Sequence, residues 1–388
     1  MKLLFVVRGV EDYGVERKLI GLMGSLVRRG WTTDLYSIGD GPFAARAREA
    51  APSSLVHIDP NVPTRFTGSG LAKIASMARL MSRAATLKRN LSAFLTTHDY
   101  DAVVLCEHGL VVPVGAAART RRTPVFWLMP NLVSGNYPAD LNRRIYAAAF
   151  DAFDVTPIAN SQTTLESLGR AGRGAEKIDL GVDPTAFHPT SGRARWPIPL
   201  EIPAGAPTML VMARMTPRKG QLLLIQALEE TPDLHLMVCG GPLEGDYAQA
   251  VQAAAQEPPV RGRVHVVGPT QAPMDWYAAA DVVASMRTDP EPFGLSIVEA
   301  MMMERPVLVH ASGGPRDIVV DGVTGWHVHE PTVGAFADGL RRVMADQARW
   351  PEMATAGRAR AMERYTTDAM AASFADVLQR NLAARTNG

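Results

Sequence analysis

Cysteine is nearly absent: the 388 residues hold two, Cys106 and Cys239. Two cysteines cannot make a disulfide framework. Each closes an apolar run, which fits buried thiols in a reducing compartment. A dominant charge sign is also lacking. Forty basic residues face thirty-nine acidic ones, for a net charge of +1, so the electrostatic footprint of a nucleic-acid binder is missing. No apolar run approaches the ~18–20 residues that span a bilayer, although 47% of the chain is hydrophobic and supplies ample core. The first residues are apolar only from Leu3 to Val7, and Arg8, Glu11 and Asp12 follow. They read as a strand and not as an export signal, and the expected location is cytoplasmic. No G-x-G-x-x-G follows a strand, which disfavours a dinucleotide oxidoreductase. No metal-ligand cluster is legible either. Asp99-Tyr100-Asp101 reads as the polar end of a loop before a strand, and His327 and His329 share one strand face without a third ligand. No metal and no cofactor are expected.

What is present is organised around residues 285–326. Val282, Val283 and Ala284 end an apolar run in the manner of a buried strand. Asp289-Pro290-Glu291-Pro292 then forbids a regular element, because proline fixes φ and lacks an N–H. Leu295, Val298, Met301 and Met302 recur at helical spacing, so the loop feeds a helix start near Gly294. Helix starts carry unpaired N–H groups and about half a positive charge, which suits phosphate. Gly294 lets a ligand approach the backbone closely. Glu291 and Glu299 flank this anion site. Carboxylates repel phosphates and accept hydrogen bonds from hydroxyls, so the stretch points to a nucleotide, a sugar, or both. Ser296 to Glu299 also fits a helix capping box, the bland alternative for Glu299.

The rest of the chain alternates strands and helices, as parallel-sheet domains do. Expected strands are Leu3–Val7, Trp31–Ile38, Ala102–Leu105, Pro124–Leu128 and Val155–Ala159, then Thr208–Ala213, Leu234–Cys239, Val264–Val267, Val282–Ala284 and Val307–Val309. The proline-rich stretch 189–207 reads as a linker between domains at 1–188 and 208–365, with a final helix in 366–388. Arg214 and Lys219 follow the first strand of the second domain, where two cations can grip a diphosphate. His108 lies beyond the carboxyl end of a strand, where α/β sheets place ligands. Residues 60–97 contain no acid, and Arg65, Lys73, Arg79, Arg83, Lys88 and Arg89 accompany an apolar helical stripe. Segment 65–89 is a basic amphipathic helix that suits either a solvated domain face or contact with an anionic membrane.

The run E-P-F-G-L-x-x-x-E-A-M, with Glu291 and Glu299 separated by seven residues, resembles the donor signature of retaining glycosyltransferases of the GT-B fold, family 4. Arg214 to Gly220 is similar to that family's R-x-x-x-x-K-G element, and Gly181-Val182-Asp183 with Phe187 and Pro189 to its interdomain segment. Tyr13-Gly14-Val15-Glu16 resembles its Gly-Gly-x-Glu loop, with Tyr13 in place of the first glycine. His108 resembles its histidine between donor sugar and acceptor, whereas Met129-Pro130-Asn131 stand where a second histidine is usual. The resemblance implies two Rossmann-like domains facing a cleft, with a last helix crossing back to the first. It implies hexosyl transfer from a nucleoside-diphosphate sugar, UDP- or GDP-linked, to a carbohydrate, lipid-linked or small-molecule acceptor, without a metal ion. Val307-Leu308-Val309-His310 leans towards the mannosyltransferases and hence GDP. In this scheme Arg214, Lys219, Gly14, Phe293, Gly294 and Leu295 surround the diphosphate. Glu299 takes the ribose, Glu291 the donor sugar, and His108 orients the reacting groups. A nucleotide-sugar epimerase of the same fold and a non-catalytic sugar-nucleotide binder are the alternatives.

Overall fold

A computed structural model of the chain describes residues 1–9, 14–61, 72–133, 140–189 and 194–386, with side chains omitted at 14–17, 72–80 and 386. Two compact units result, one of residues 1–181 with 367–388, the other of residues 182–366. Among the described residues each unit is built on one parallel sheet.

The first sheet comprises β1 (Lys2–Arg8), β2 (Thr32–Ile38), β3 (Val56–Asp59), β4 (Ala102–Leu105), β5 (Val125–Leu128), β6 (Val155–Ala159) and β7 (Glu176–Lys177). Their order is β3-β2-β1-β4-β5-β6-β7. Helices cover both faces, so the central strands are apolar on successive residues and not on alternate ones. Leu3 to Val6, Val103 to Leu105 and Val125 to Trp127 are all fully buried. Each such aliphatic or aromatic side chain contributes about 1.5–3 kcal/mol relative to exposure.

The second sheet comprises β8 (Thr208–Met212), β9 (His235–Cys239), β10 (Val264–Gly268), β11 (Val282–Ser285), β12 (Val307–His310) and β13 (Gly325–Val328). Its order, β10-β9-β8-β11-β12-β13, reverses direction between β8 and β11. In doubly wound sheets ligands gather outside the carboxyl ends of the strands at such a switch point. The loops after β8 and β11 therefore hold the position where the sequence places Arg214, Lys219 and Glu291.

The units change at Gly181–Val182 and again at Thr366–Thr367, which moves the expected boundary at 188. The Val182 N–H donates to the Tyr365 carbonyl at 2.8 Å and Ala194 to that of Ala278 at 3.2 Å. Trp196 lies 5.7 Å from the Trp276 ring. The described part of the proline-rich stretch thus packs on the second unit and is not a free tether. The last helix, Thr367–Thr386, belongs to the first unit. Arg28 meets Asp368 at 2.8 Å, and Arg385 meets Asp154 at 2.7 Å.

Asp99 and Asp101 lie at the amino end of β4 and carry structural bonds. Arg121 binds Asp99 at 2.8 Å, and the Lys2 N–H donates to Asp101 at 2.7 Å. His327 is tied to the Val319 carbonyl at 3.0 Å. No group of three or more metal-ligating side chains occurs among the described residues.

Candidate functional site

In the second unit, β11 runs into the loop that carries Arg287, Asp289 and Glu291, and this loop feeds the helix Leu295–Met302. Gly294 sits at the start of that helix with φ 109°, a conformation side chains resist, and no side chain caps the helix. Its first N–H groups thus lack intrahelical partners and point their partial positive charge outward. The capping-box alternative for Glu299 does not form. The Glu299 carboxylate instead accepts from the Tyr277 hydroxyl at 2.9 Å. Burial, and then the charge and hydrogen bond of Glu299, push the Tyr277 phenol far above its usual range, so it stays a donor.

Glu291 is fixed by its backbone as firmly as by its side chain. Its N–H donates to Ser312 O at 3.0 Å and its carbonyl accepts from Gly314 N–H at 2.8 Å. Gly313 lies against it with φ 84°, and a Cβ there would stand 2.2 Å from the Glu291 carbonyl oxygen. The two glycines of 313–314, a bare tight loop in the sequence, are what let the Glu291 loop close onto β12.

Charge converges on the same point. Lys219 Nζ lies 2.6 Å from Glu291 Oε2, with side chains 22% and 13% exposed. Arg287 Nη1 lies 3.3 Å from Glu291 Oε1, and its Nε and Nη2 bind Asp289. Burial works against the Arg287 charge, but the bonds and charges of Asp289 and Glu291 outweigh it and hold the guanidinium more firmly protonated than usual. Burial would also raise Asp289, yet Arg287 and Arg218 carry its carboxyl below the usual range. Arg214 is exposed, and its carbonyl accepts from Gln221 Nε2 at 2.8 Å. Phe293 is buried beneath the helix start, its ring 6.0 Å from Tyr365. The structure therefore gathers Lys219, Glu291, Phe293, Gly294 and Leu295, with Arg214 on the Lys219 loop and Glu299 one turn into the helix. Arg287 and Tyr277 were not singled out in the sequence. An arginine four residues before a glutamate was the available signal.

In the first unit, Glu107 follows β4 and clasps the end of β1. It accepts from the Arg8 N–H at 2.8 Å and from Arg8 Nε at 2.7 Å. His108 stands beside this clasp, edge-on to Trp127 at 5.1 Å and 3.5 Å from the Tyr146 hydroxyl. Burial lowers the His108 pKa, so its ring is neutral at pH 7. The unfolded chain takes up that proton below about pH 6.5 while the folded ring resists it. Stability from this group is full above about pH 6.5 and declines as pH falls through the folded value. Replacing His108 by Gln should flatten the pH dependence of the melting temperature below about pH 6.5, measured against wild type by thermal unfolding across pH.

Gly14 opens the helix Gly14–Arg28. Tyr13 lies outside the described residues, as do the side chains of Glu16 and Arg17. Cavities occur elsewhere. One of about 520 Å³ meets Asp281, Arg305 and Trp350. Another of about 570 Å³ meets Asp101, Asp154 and Arg385. Both open where strands begin, so the charged loops at the strand carboxyl ends, and not these cavities, form the candidate site.

Two parallel-sheet Rossmann-like units of this kind are the GT-B architecture. The chain superposes on the Anabaena protein HepE in complex with UDP with a TM-score of 0.79, at 23% identity, covering 98% of this chain and 100% of that one. Residues 193–361 match the family of glycosyl transferases group 1. The D-inositol 3-phosphate glycosyltransferase of Xylanimonas cellulosilytica is 34% identical over 261 residues, 63% of this chain and 62% of that protein. The GDP-mannose-dependent alpha-(1-6)-phosphatidylinositol monomannoside mannosyltransferase of Mycolicibacterium smegmatis is 32% identical over 225 residues, 54% of this chain and 57% of that protein. The chain thus spans less than two thirds of the length of these curated relatives.

Proposed function

We propose that this chain is a retaining glycosyltransferase that moves a hexosyl unit from a nucleoside-diphosphate sugar to a carbohydrate, lipid-linked or small-molecule acceptor without a metal ion. The observation that carries the proposal is the meeting of the Lys219 loop, Glu291 and the uncapped helix start at Gly294, at the carboxyl end of the second sheet. Such a site offers cations and N–H groups to a diphosphate and carboxylates to hydroxyls.

In the proposed step the bond between the anomeric carbon and the diphosphate oxygen breaks. The acceptor oxygen bonds the same carbon from the same face, and its proton passes to the leaving phosphate oxygen. Arg214, Lys219 and the N–H groups of Phe293, Gly294 and Leu295 stabilise the growing charge on the leaving group, with Gly14 adding a permissive backbone position. Glu291 holds donor-sugar hydroxyls and Glu299 the ribose hydroxyls, while neutral His108 orients the sugar or the acceptor hydroxyl. The names of the relatives favour GDP or UDP as the carrier and a phosphate-bearing or lipid-linked acceptor. A lipid-linked acceptor agrees with membrane contact by segment 65–89 at the inner face of a membrane. Arg65 lies outside the described residues, whereas Lys88 and Arg89 are exposed on the helix Ala72–Thr97. No helix among the described residues is long and apolar enough to cross a membrane.

The test is calorimetric titration of UDP, GDP and ADP with chelator present. Binding of one nucleotide at micromolar strength supports the metal-free grip and selects the sugar nucleotides to supply with acceptors. Binding that appears only with a divalent cation overturns the metal-free part. Product analysis without acceptor distinguishes an epimerase, which would convert the donor, from a transferase. Binding without any turnover would leave only a sugar-nucleotide binder.

A further inference from the structure

We infer that Arg287 is a positioning residue, which holds the Glu291 carboxylate in place when Lys219 turns to the donor's diphosphate. The inference rests on the transferase reading above. The two oxygens of Glu291 are divided between two cations: Oε2 meets Lys219 at 2.6 Å and Oε1 meets Arg287 at 3.3 Å. The two cations are held very differently. The Lys219 ammonium ends a flexible four-carbon stem and can exchange one anion for another. The Arg287 guanidinium is a planar fork with its other edge bound to Asp289, Nη2 to Oδ2 at 3.2 Å.

Its backbone is fixed as well. The Arg287 carbonyl accepts from His310 Nδ1 at 2.5 Å. Because a carbonyl only accepts, this nitrogen carries the proton. His310 is buried at the end of β12. Thr288 N–H donates to Arg218 O at 2.8 Å and ties the same stretch to the Lys219 loop. Arg287 therefore cannot follow Lys219 towards a phosphate. Glu291 is only 13% exposed, and a carboxylate so far from water needs a standing partner to offset its lost hydration and fix its direction. With Lys219 occupied by phosphate, Arg287 supplies that partner, and the donor-sugar hydroxyls meet a carboxylate already aimed. Arg287 acts through Glu291 and does not itself touch the donor in this scheme.

The test is a double-mutant cycle on the full chain. Release of UDP from UDP-glucose and of GDP from GDP-mannose is followed with wild type, R287M, R287K, E291Q and R287M/E291Q. Expected for R287M is a fall in kcat of about thirtyfold with donor KM within about threefold. R287K should recover to within about fivefold of wild type, and the double variant should be no slower than E291Q alone. Losses that multiply in the double variant would show that Arg287 acts independently of Glu291 and overturn the inference. So would a loss confined to KM, or an R287K variant no better than R287M. Comparing the double variant with E291Q keeps the result readable if R287M alone is poorly folded, because a folding loss persists without Glu291. Wild type that neither binds UDP or GDP nor releases them from the sugar nucleotides would sink the transferase reading itself. Turnover by wild type with multiplying losses sinks only the role of Arg287.

Discussion

Replacing Glu291 by Ala is expected to lower donor turnover by about two to three orders of magnitude, with nucleotide affinity within about threefold of wild type. The reason lies in how the residue is held. The bonds that shape the loop are its backbone bonds to Ser312 and Gly314, and alanine keeps them. What alanine removes is the carboxylate shared by Lys219 and Arg287. Lys219 is then free for phosphate, so affinity for the nucleotide holds or rises. The sugar loses the acceptor of its hydroxyl hydrogen bonds, and the reacting carbon is no longer fixed against the incoming oxygen. Misplacement of about 1 Å costs a hundredfold in well-oriented reactions. Steady-state rates beside calorimetry of the matching nucleotide separate the two effects. Turnover within twofold of wild type would remove Glu291 from the chemistry. Equal losses of rate and nucleotide affinity would mark it as part of the diphosphate grip.

The sequence made the strands of both sheets legible where apolar residues run uninterrupted. Leu3 to Val7, Val103 to Leu105 and Val282 to Ala284 are buried on both faces, and that burial leaves its mark in composition. The strands at the edge of the first sheet were not legible. Val56–Asp59 is four residues with a polar end, and Glu176–Lys177 is two charged residues that become a strand by pairing with β6. Pairing of this kind is fixed by tertiary context and not by local pattern. The division of the units at Gly181–Val182 was not legible for a related reason. Prolines near 189–207 signal the lack of regular structure, but not what the segment packs on, and the Trp196–Trp276 contact spans 80 positions of sequence.

The candidate site follows the same rule. Lys219 and Glu291 were legible as residue types at fixed spacing from strands and helix starts. Their ion pair joins positions 72 apart in the chain, and no local pattern announces it. Arg287 is not legible because a charge beside Asp289 reads as a solvated loop, whereas its side chain is only 15% exposed. The clasp of Arg8 on Glu107 joins positions 99 apart and was hidden for the same reason. The resemblance to family 4 named His108 but not the Trp127 and Tyr146 rings that enclose it, since enclosure is a property of packing.

Replacing both Arg214 and Lys219 by Ala is expected to weaken nucleoside-diphosphate binding by about a hundredfold or more. A hydrogen bond to a charged group is worth about 1.5–3 kcal/mol, and about 1.4 kcal/mol is a factor of ten in affinity. Removing two such bonds, offset in part by the water that replaces them, gives this range. The fold should survive. Arg214 is exposed, and Glu291 keeps Arg287 when Lys219 is gone, so no buried carboxylate is stranded. The informative comparison is between UDP or GDP and the corresponding nucleoside, titrated into wild type and the double variant at two salt concentrations. The loss should appear for the diphosphate and not for the nucleoside. The salt dependence of diphosphate binding should also shrink in the variant, because fewer charges are paired. Equal losses for nucleoside and diphosphate would mean that the loop had collapsed and that the cations shape it. Unchanged diphosphate affinity would move the grip to the helix start at Gly294 alone, leaving Lys219 as no more than the structural partner of Glu291.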